Sequence, residues 1–271
     1  MHVRHTLRPF VVAVAATLYA ATAFAQAGQK PFEPQVGQAG KDVVWVPTPQ
    51  ALVEKMLDMA KVTPNDFVMD LGSGDGRTVI TAAKRGAKAT GIEYDPRMVE
   101  LSQRNAANEG VSGKATFVKE DLFQTDLSQA TVITMFLLPE INLKLRDKLL
   151  ELKPGTRVVS NSFSMGDWAA DETAEAVEGC TSYCKALFWV VPAKVDGTWD
   201  TPAGELVLEQ KYQQVSGTLK NGNVVAPVME GKLSGDQITF TAAGTRYTGK
   251  VQGTTIEGTS DKQAAWRATK K

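Results

Sequence analysis

The spacing of apolar residues changes once along this chain, near Lys194, and the two parts predict different structures. Before that point, short apolar runs alternate with segments in which apolar residues recur every three or four positions. Strands are predicted at 67–71, 88–93, 115–119, 131–136, 156–163 and 184–191, and helices at 77–85, 96–108 and 139–152, after a first helix that begins behind Pro49. Such alternation is typical of a mostly parallel sheet with helices on both faces.

After Lys194, the chain shows the two-residue alternation of β-strands, interrupted by glycine-containing turns such as Asn221-Gly222. A weak internal repeat in this part predicts successive hairpins of a small antiparallel barrel or sandwich. We expect Trp199 and Trp266 to close its core. Partner binding, substrate positioning and stabilisation all remain open as its role.

These patterns predict the organisation of the whole chain. The segments are a leader at 1–25, a flexible lead-in at 26–44, an α/β domain at 45–193 and a small β-meander domain at 195–270. The fold class is therefore α/β, with a doubly wound, mostly parallel sheet followed by an all-β antiparallel domain.

The leader has the pattern of an export signal. Two arginines precede an uncharged apolar run, and Ala23-Phe24-Ala25 has the small-x-small form that precedes signal cleavage. Cleavage after Ala25 would leave no membrane span and would place the rest of the chain in the periplasm or the medium. An uncleaved N-terminal anchor is the alternative, although the apolar run is short against the roughly 20 residues of a spanning helix.

The segment 68–77, with the sequence VMDLGSGDGR, carries the strongest chemical signal. Its alternating glycines, Gly72, Gly74 and Gly76, follow an apolar strand, and glycine lets backbone N–H groups approach a small ligand closely. A dinucleotide fingerprint would place its third glycine at Arg77, and a P-loop would end in Gly-Lys-Ser or Gly-Lys-Thr. The spacing therefore matches neither motif.

Two acidic residues frame the glycines. Asp70 lies just ahead of them, and Glu93 ends the next apolar run. A carboxylate at the second position suits a ribose whose two hydroxyl groups donate hydrogen bonds, and it would repel a 2′-phosphate. The segment thus favours a cofactor that carries an unphosphorylated ribose.

With these residues, the region from about Trp45 to Pro192 resembles the class I S-adenosylmethionine-dependent methyltransferases. The resemblance implies S-adenosylmethionine as the cofactor, with the glycine loop under its methionine part, one acid at the ribose and another at the adenine. The residues so implied are Pro47, Thr48, Asp70, Gly72, Ser73, Gly74, Asp75, Gly76, Glu93, Asp121 and Leu122.

A narrower resemblance rests on three features: the WVPTP sequence at 45–49, the glycine loop, and the VVSNSF sequence at 158–163 with Trp168 after it. Together they are similar to a protein-lysine methyltransferase group, whose mitochondrial members modify the adenine nucleotide translocase and the ATP synthase c subunit. The resemblance implies methyl transfer to a lysine of a protein.

Each acid also has a plainer explanation. Asp75 would suit the start of a helix, Glu93 a turn with Asp95, and Asp121 the start of a loop. Their joint order favours the cofactor, because ligands in open α/β sheets bind outside the carboxyl ends of the strands, where these acids fall.

The methyl acceptor is predicted to bind where the fourth strand ends, opposite the end of the fifth. Phe136, Phe163 and Trp168 are candidates for an apolar channel that lowers the pKa of a lysine amine, and Glu140 is a fourth candidate. Core packing is the alternative for the aromatic residues, and a charge at a helix start is the alternative for Glu140. The sequence assigns no catalytic residue.

Composition removes other functions. The 271 residues include 30 basic and 30 acidic side chains, so no basic surplus favours a nucleic acid. The only histidines, His2 and His5, lie in the leader, so the cleaved chain could form neither a histidine-based triad nor a histidine-ligated zinc site, and no metal is expected. Methyl transfer survives this exclusion, because the sulfonium leaving group is already activated and alignment supplies much of the catalysis.

Cys180 and Cys184 leave a disulfide open. In a continuous strand their Cα atoms would be about 13 Å apart, too far for a bond, whereas a helical turn or a bend would bring them within reach. Two thiols are too few for a structural zinc site.

Three functions therefore compete. The first is an exported N-methyltransferase acting on a protein lysine or on another nitrogen, and the second is an exported methyltransferase acting on a small molecule. The third is a non-catalytic protein that keeps the nucleoside site, since S-adenosylmethionine is not an obvious solute outside the cytoplasm. The expected partner is a protein or small-molecule methyl acceptor, with no nucleic acid.

Overall fold

The apolar runs of the first part form the sheet strands that their pattern predicts. The computed structural model describes residues 1–2, 31–175, 178, 180–262 and 265–271. The elements of this part are α1 (Gln50–Met59), β1 (Phe67–Leu71), α2 (Arg77–Lys84), β2 (Lys88–Glu93), α3 (Pro96–Asn108), β3 (Ala115–Lys119), β4 (Val132–Met135), α4 (Pro139–Leu150), β5 (Arg157–Asn161), β6 (Glu172–Ala174) and β7 (Ala186–Val190).

The sheet has seven strands in the order β3-β2-β1-β4-β5-β7-β6. Strands β1 to β5 are parallel, whereas β7 runs antiparallel to β5, and β6 runs antiparallel to β7. The order reverses at β1, which pairs with β2 on one side and with β4 on the other. The predicted α/β class is confirmed, and the reversal marks the sheet edge where such folds bind ligands.

Two apolar cores cover the two faces of this sheet. Successive residues of β1 point to opposite faces, and Val68 belongs to one core while Met69 belongs to the other. Helices α1, α2 and α3 contribute to the core around Val68, and α4 contributes to the core around Met69. The sequence does not predict β6, because three residues carry too little periodic pattern and two of them are exposed.

The second part is a closed antiparallel barrel. Its strands are β8 (Gly197–Thr201), β9 (Gly204–Lys211), β10 (Gln214–Asn221), β11 (Val224–Ser234), β12 (Gln237–Ala242), β13 (Thr245–Gln252), β14 (Thr255–Ser260) and β15 (Trp266–Lys270). Each strand pairs with the next, and β15 pairs with β8 to close the ring. Trp199 and Trp266 are buried in its interior, which confirms their predicted role.

The chain bends between β6 and β7, and there Cys180 and Cys184 form a disulfide with their Cα atoms 5.8 Å apart. The structure thus selects the bend among the alternatives that the sequence leaves open. The predicted export signal lies outside the described residues, apart from its first two. Among the residues that are described, no helix is long and apolar enough to cross a membrane.

Candidate active site

A crevice opens at the carboxyl ends of β1 to β4. Its wall contains ten of the predicted cofactor residues, which are Pro47, Thr48, Asp70, Gly72, Ser73, Gly74, Asp75, Glu93, Asp121 and Leu122. Gly76 lies outside this wall. A Cβ atom at Gly76 would lie 2.7 Å from the ring of Phe117, so this glycine allows close packing between the start of α2 and β3.

The glycine loop presents bare backbone to the crevice. The N–H groups of Gly72 and Ser73 both donate to the carbonyl of Ile92, at 2.9 and 3.0 Å, which fixes the loop to β2. Gly74 has φ +56°, a conformation that favours glycine, and a Cβ atom there would lie 2.8 Å from the indole nitrogen of Trp45. Trp45 therefore covers the loop at a distance that only glycine permits.

Glu93, at the end of β2, is fixed by backbone donors. Its Oε2 accepts from the N–H of Gly74 at 3.0 Å, and its Oε1 accepts from those of Tyr94 and Asp95, at 2.8 and 3.0 Å. A carboxylate has about four acceptor positions, so Oε2, with one bond, keeps capacity for a further donor. The carboxylate is thus held in place beside the loop before any ligand binds.

Asp75 fastens the loop to the segment ahead of α1. Its carboxylate accepts a forked pair of bonds from the guanidinium of Arg77, and another nitrogen of that guanidinium donates to the carbonyl of Thr48 at 2.9 Å. The Thr48 hydroxyl in turn accepts from the side-chain amide of Asn161 at 3.3 Å. Asp75 and Thr48 therefore position backbone around the crevice as well as lining it.

Residues 37–48 fold back on themselves beside the crevice, and we call this segment the strap. Gly37 donates to the carbonyl of Trp45, and Trp45 donates to that of Gln38. Within the strap, Lys41 Nζ lies 2.7 Å from Asp121 Oδ2, and this hydrogen bond lowers the pKa of Asp121. The strap thus reaches Asp121, the acid that the family resemblance places at the adenine.

Asp70 is buried at the base of the crevice. Burial raises the pKa of its carboxyl to about 7, opposed by a hydrogen bond from the Thr134 hydroxyl at 2.6 Å and reinforced by the charges of Asp75 and Glu93. Near neutral pH this group therefore exchanges between a neutral acid and a carboxylate.

This pKa predicts a pH dependence of stability. An unfolded aspartate titrates near 3.9, so from about pH 4 to 7 the native state keeps a proton that the unfolded chain has lost. The resulting stabilisation is complete below pH 4 and is lost as the pH rises to 7. An Asp70→Asn variant, which does not titrate, is expected to gain stability relative to the parent between pH 5 and pH 8, measured by urea unfolding.

Asp126→Asn is the matched control for this prediction. Asp126 is an exposed carboxylate whose pKa is lowered by hydrogen bonds from Ser128. The pH range in which its titration changes the stability of the protein therefore lies below pH 4. Its stability difference from the parent should stay constant from pH 5 to pH 8. The same constancy for Asp70→Asn would contradict the raised pKa of Asp70.

The structure separates the predicted acceptor residues. Phe136 and Phe163 line an opening next to the crevice, with ring centroids 6.0 Å apart. Trp168 is fully buried and packs against Trp189, because a turn after β5 carries it into the core. Trp168 therefore belongs to the core, and its predicted place in the acceptor channel is wrong. Glu140 is exposed in the first turn of α4, outside the walls of both the crevice and the opening.

The crevice fits S-adenosylmethionine in two respects. Gly72 and Gly74 leave bare main chain on its wall, and Glu93 keeps acceptor capacity for ribose hydroxyl groups. The hydroxyl of Ser73 does not add a third, because it is buried against Gly91 of β2, where a Cβ atom would lie 2.5 Å from it.

Comparison with known proteins agrees with this fit. Residues 70–172 match the family described as the ANTKMT methyltransferase domain. A protein-lysine N-methyltransferase of Saccharolobus islandicus (strain REY15A) is 44% identical over 149 residues, which are 54% of this chain and 92% of that protein. The Homo sapiens lysine N-methyltransferase named for the ATP synthase c subunit is 36% identical over 53% of this chain and 62% of its own length.

A solved structure is similar as well. The RNA methyltransferase from Salinibacter ruber in complex with S-adenosyl-L-homocysteine is 46% identical, with a TM-score of 0.52 over 55% of this chain and 96% of that one. The fold and the crevice thus define a class I methyltransferase whose cofactor is S-adenosylmethionine. The chain belongs to the same methyltransferase family as its Saccharolobus islandicus relative.

Proposed function

We propose that this chain methylates the side-chain amine of a lysine in a protein. The observation that carries the proposal is the opening beside the crevice, whose wall is mostly apolar and includes Phe136, Leu138 and Phe163. An opening of this kind suits the four-carbon stem of a lysine. The lysine N-methyltransferases of Saccharolobus islandicus and Homo sapiens, both similar to this chain, support the same class of acceptor.

The chain contributes position and environment to this reaction. S-adenosylmethionine, when bound, supplies a methyl group on a positively charged sulfur. The glycine loop and Glu93 form one side of the crevice, and the strap lines it as well. The opening shares Phe136 and Leu137 with the crevice, which gives an acceptor a path to the bound cofactor. A lysine amine must lose its proton before it attacks, and that loss is favoured once the amine has passed the exposed rings and left the solvent, because burial lowers the pKa of an amine.

A labelled-methyl assay tests the class of acceptor. The full chain would be incubated with methyl-labelled S-adenosylmethionine and, in separate reactions, with protein, RNA and small-molecule fractions of its source organism. We expect label in the protein fraction, recovered as Nε-methyl-lysine after acid hydrolysis. A Gly74→Asp variant should give none.

The same assay separates the competing acceptors. The Salinibacter ruber relative is named an RNA methyltransferase, so label confined to RNA would replace the lysine proposal by an RNA acceptor. Label confined to small molecules would favour the second function that the sequence leaves open. Cofactor binding without label in any fraction would favour a non-catalytic protein.

We also propose that the chain is exported and cleaved after Ala25. The charge and apolar pattern of residues 1–25 supports export, and so does the Cys180–Cys184 disulfide, because disulfides persist in oxidising compartments. After expression in a bacterial host, mass spectrometry of the periplasmic fraction and the medium should find a chain that begins at Gln26. An intact N-terminus confined to the cytoplasm would contradict export.

A further inference from the structure

A third aromatic ring stands beside the two that the sequence assigns to the acceptor. The ring of Tyr183 lies 5.1 Å from that of Phe136 and 6.1 Å from that of Phe163, centroid to centroid. At these distances the rings touch one another, so they form a continuous surface instead of a cage with space inside. We call these three rings the aromatic wall. Tyr183 is 45% exposed, so it offers free surface to a ligand.

The disulfide loop determines where Tyr183 lies. Cys180 and Cys184 close a five-residue loop that contains it, and its φ of +53° is unfavourable for a residue with a side chain. Such a conformation persists only where the surroundings impose it. Directly after the loop, the carbonyl of Lys185 accepts a bond from the N–H of Ser162 at 2.7 Å, which ties the loop to the end of β5.

The strap faces the aromatic wall across the opening. Residues 39–44 and Val46 line the same opening as the three rings, and Asp42 is their acidic member. An alkylammonium chain entering here would meet ring surface on one side and Lys41 with Asp42 on the other. Lys41 Nζ lies 3.7 Å from Asp42 Oδ2, so these two charges offset each other, and the attraction for a cation at this exposed entrance comes from the ring faces through cation–π contact.

We propose that Tyr183, held in place by the Cys180–Cys184 disulfide, binds the acceptor amine as part of the aromatic wall. This inference rests on the proposed lysine acceptor and names a contact residue for it. Tyr183 acts on the acceptor and not on S-adenosylmethionine, because it lines the opening and is absent from the wall of the crevice.

A direct binding experiment tests the wall without requiring turnover. The full chain, saturated with S-adenosylhomocysteine, would be titrated with Nα-acetyl-lysine amide and with its Nε-trimethyl form, followed by NMR. We expect Tyr183→Ala to bind both probes about fivefold more weakly, and Tyr183→Phe to stay within about twofold of the parent, because phenylalanine keeps the ring face. The affinity for S-adenosylhomocysteine should not change in either variant.

The Cys180→Ser/Cys184→Ser double variant tests the role of the disulfide. It should weaken binding of both probes as Tyr183→Ala does, again at constant cofactor affinity, and Met229→Ala, an exposed barrel substitution, should change neither. Parent-like probe binding in Tyr183→Ala, or in the double variant, would overturn the proposal, as would a parent chain that binds neither probe. The labelled-methyl assay tests the lysine acceptor independently of probe binding. If the acceptor is not a lysine, the label will be found outside Nε-methyl-lysine, whether or not the probes bind.

Discussion

Replacing Gly74 with aspartate is expected to weaken the binding of S-adenosylmethionine more than about 100-fold, close to 3 kcal/mol. The new Cβ atom would lie 2.8 Å from the Trp45 indole nitrogen, so the Trp45 side chain has to move away from the glycine loop. The added carboxylate would also stand beside that of Glu93, which accepts a bond from the Gly74 N–H. Two neighbouring carboxylates repel each other. Both this repulsion and the displacement at Trp45 would distort the crevice. Isothermal titration with the cofactor measures the loss.

Gly222→Asp is a closely matched control for this substitution. Gly222 has φ +58° against +56° at Gly74, and a Cβ atom at Gly222 would meet nothing within 4 Å. The backbone penalty is therefore nearly the same at the two sites, and a difference in cofactor affinity reports on the crevice alone. Gly222→Asp should bind like the parent. Equal affinities in the two variants would remove the glycine loop from the cofactor site.

The glycine loop could be predicted from the sequence because the residues that indicate it are close together in the chain. The predicted boundaries of β1, β2 and α3 agree with the structure, and at α3 the reason is visible: the Asp95 side chain accepts from the N–H of Arg97, with Pro96 at the first helical position. The convergence of Glu93 and Asp121 then follows from topology, since parallel strands end at one edge of the sheet.

The strap and the acceptor side depend on contacts between distant residues, and no local pattern encodes them. Lys41 and Asp121 are 80 residues apart in sequence. Tyr183 reaches Phe136 only because the disulfide closes its loop and β7 returns antiparallel to β5. The prediction for Trp168 is wrong for the same reason. Its place after β5 suggested the acceptor side, whereas the turn after the strand buries it.

The barrel shows the same limit. Alternation and turn residues predict hairpins, but they do not distinguish a barrel from a sandwich. That distinction depends on β15 pairing with β8, strands that stand at opposite ends of the second part. The family match ends at residue 172, before the barrel begins, so the similarity assigns no role to this part.

Removal of the Glu93 carboxylate is the second large effect that we expect. Glu93→Ala should lower the affinity for S-adenosylmethionine about 100-fold, because the ribose loses a charged hydrogen-bond acceptor, whose bonds are worth roughly 1.5–3 kcal/mol each. The N–H groups of Gly74, Tyr94 and Asp95 lose their acceptor as well, so the loop should loosen. Titration calorimetry gives the affinity, and thermal unfolding without ligand gives the part that belongs to the loop.

Glu93→Gln separates these two contributions. Its amide keeps one oxygen for the backbone donors but places an NH₂ group, itself a donor, where the second oxygen accepts. We therefore expect an intermediate affinity, with stability closer to the parent than that of Glu93→Ala. Glu109→Ala, which removes a surface ion pair with Lys84, should leave the affinity unchanged. If Glu93→Ala bound the cofactor as tightly as Glu109→Ala does, the backbone alone would hold the ligand, and the carboxylate would serve only to order the loop.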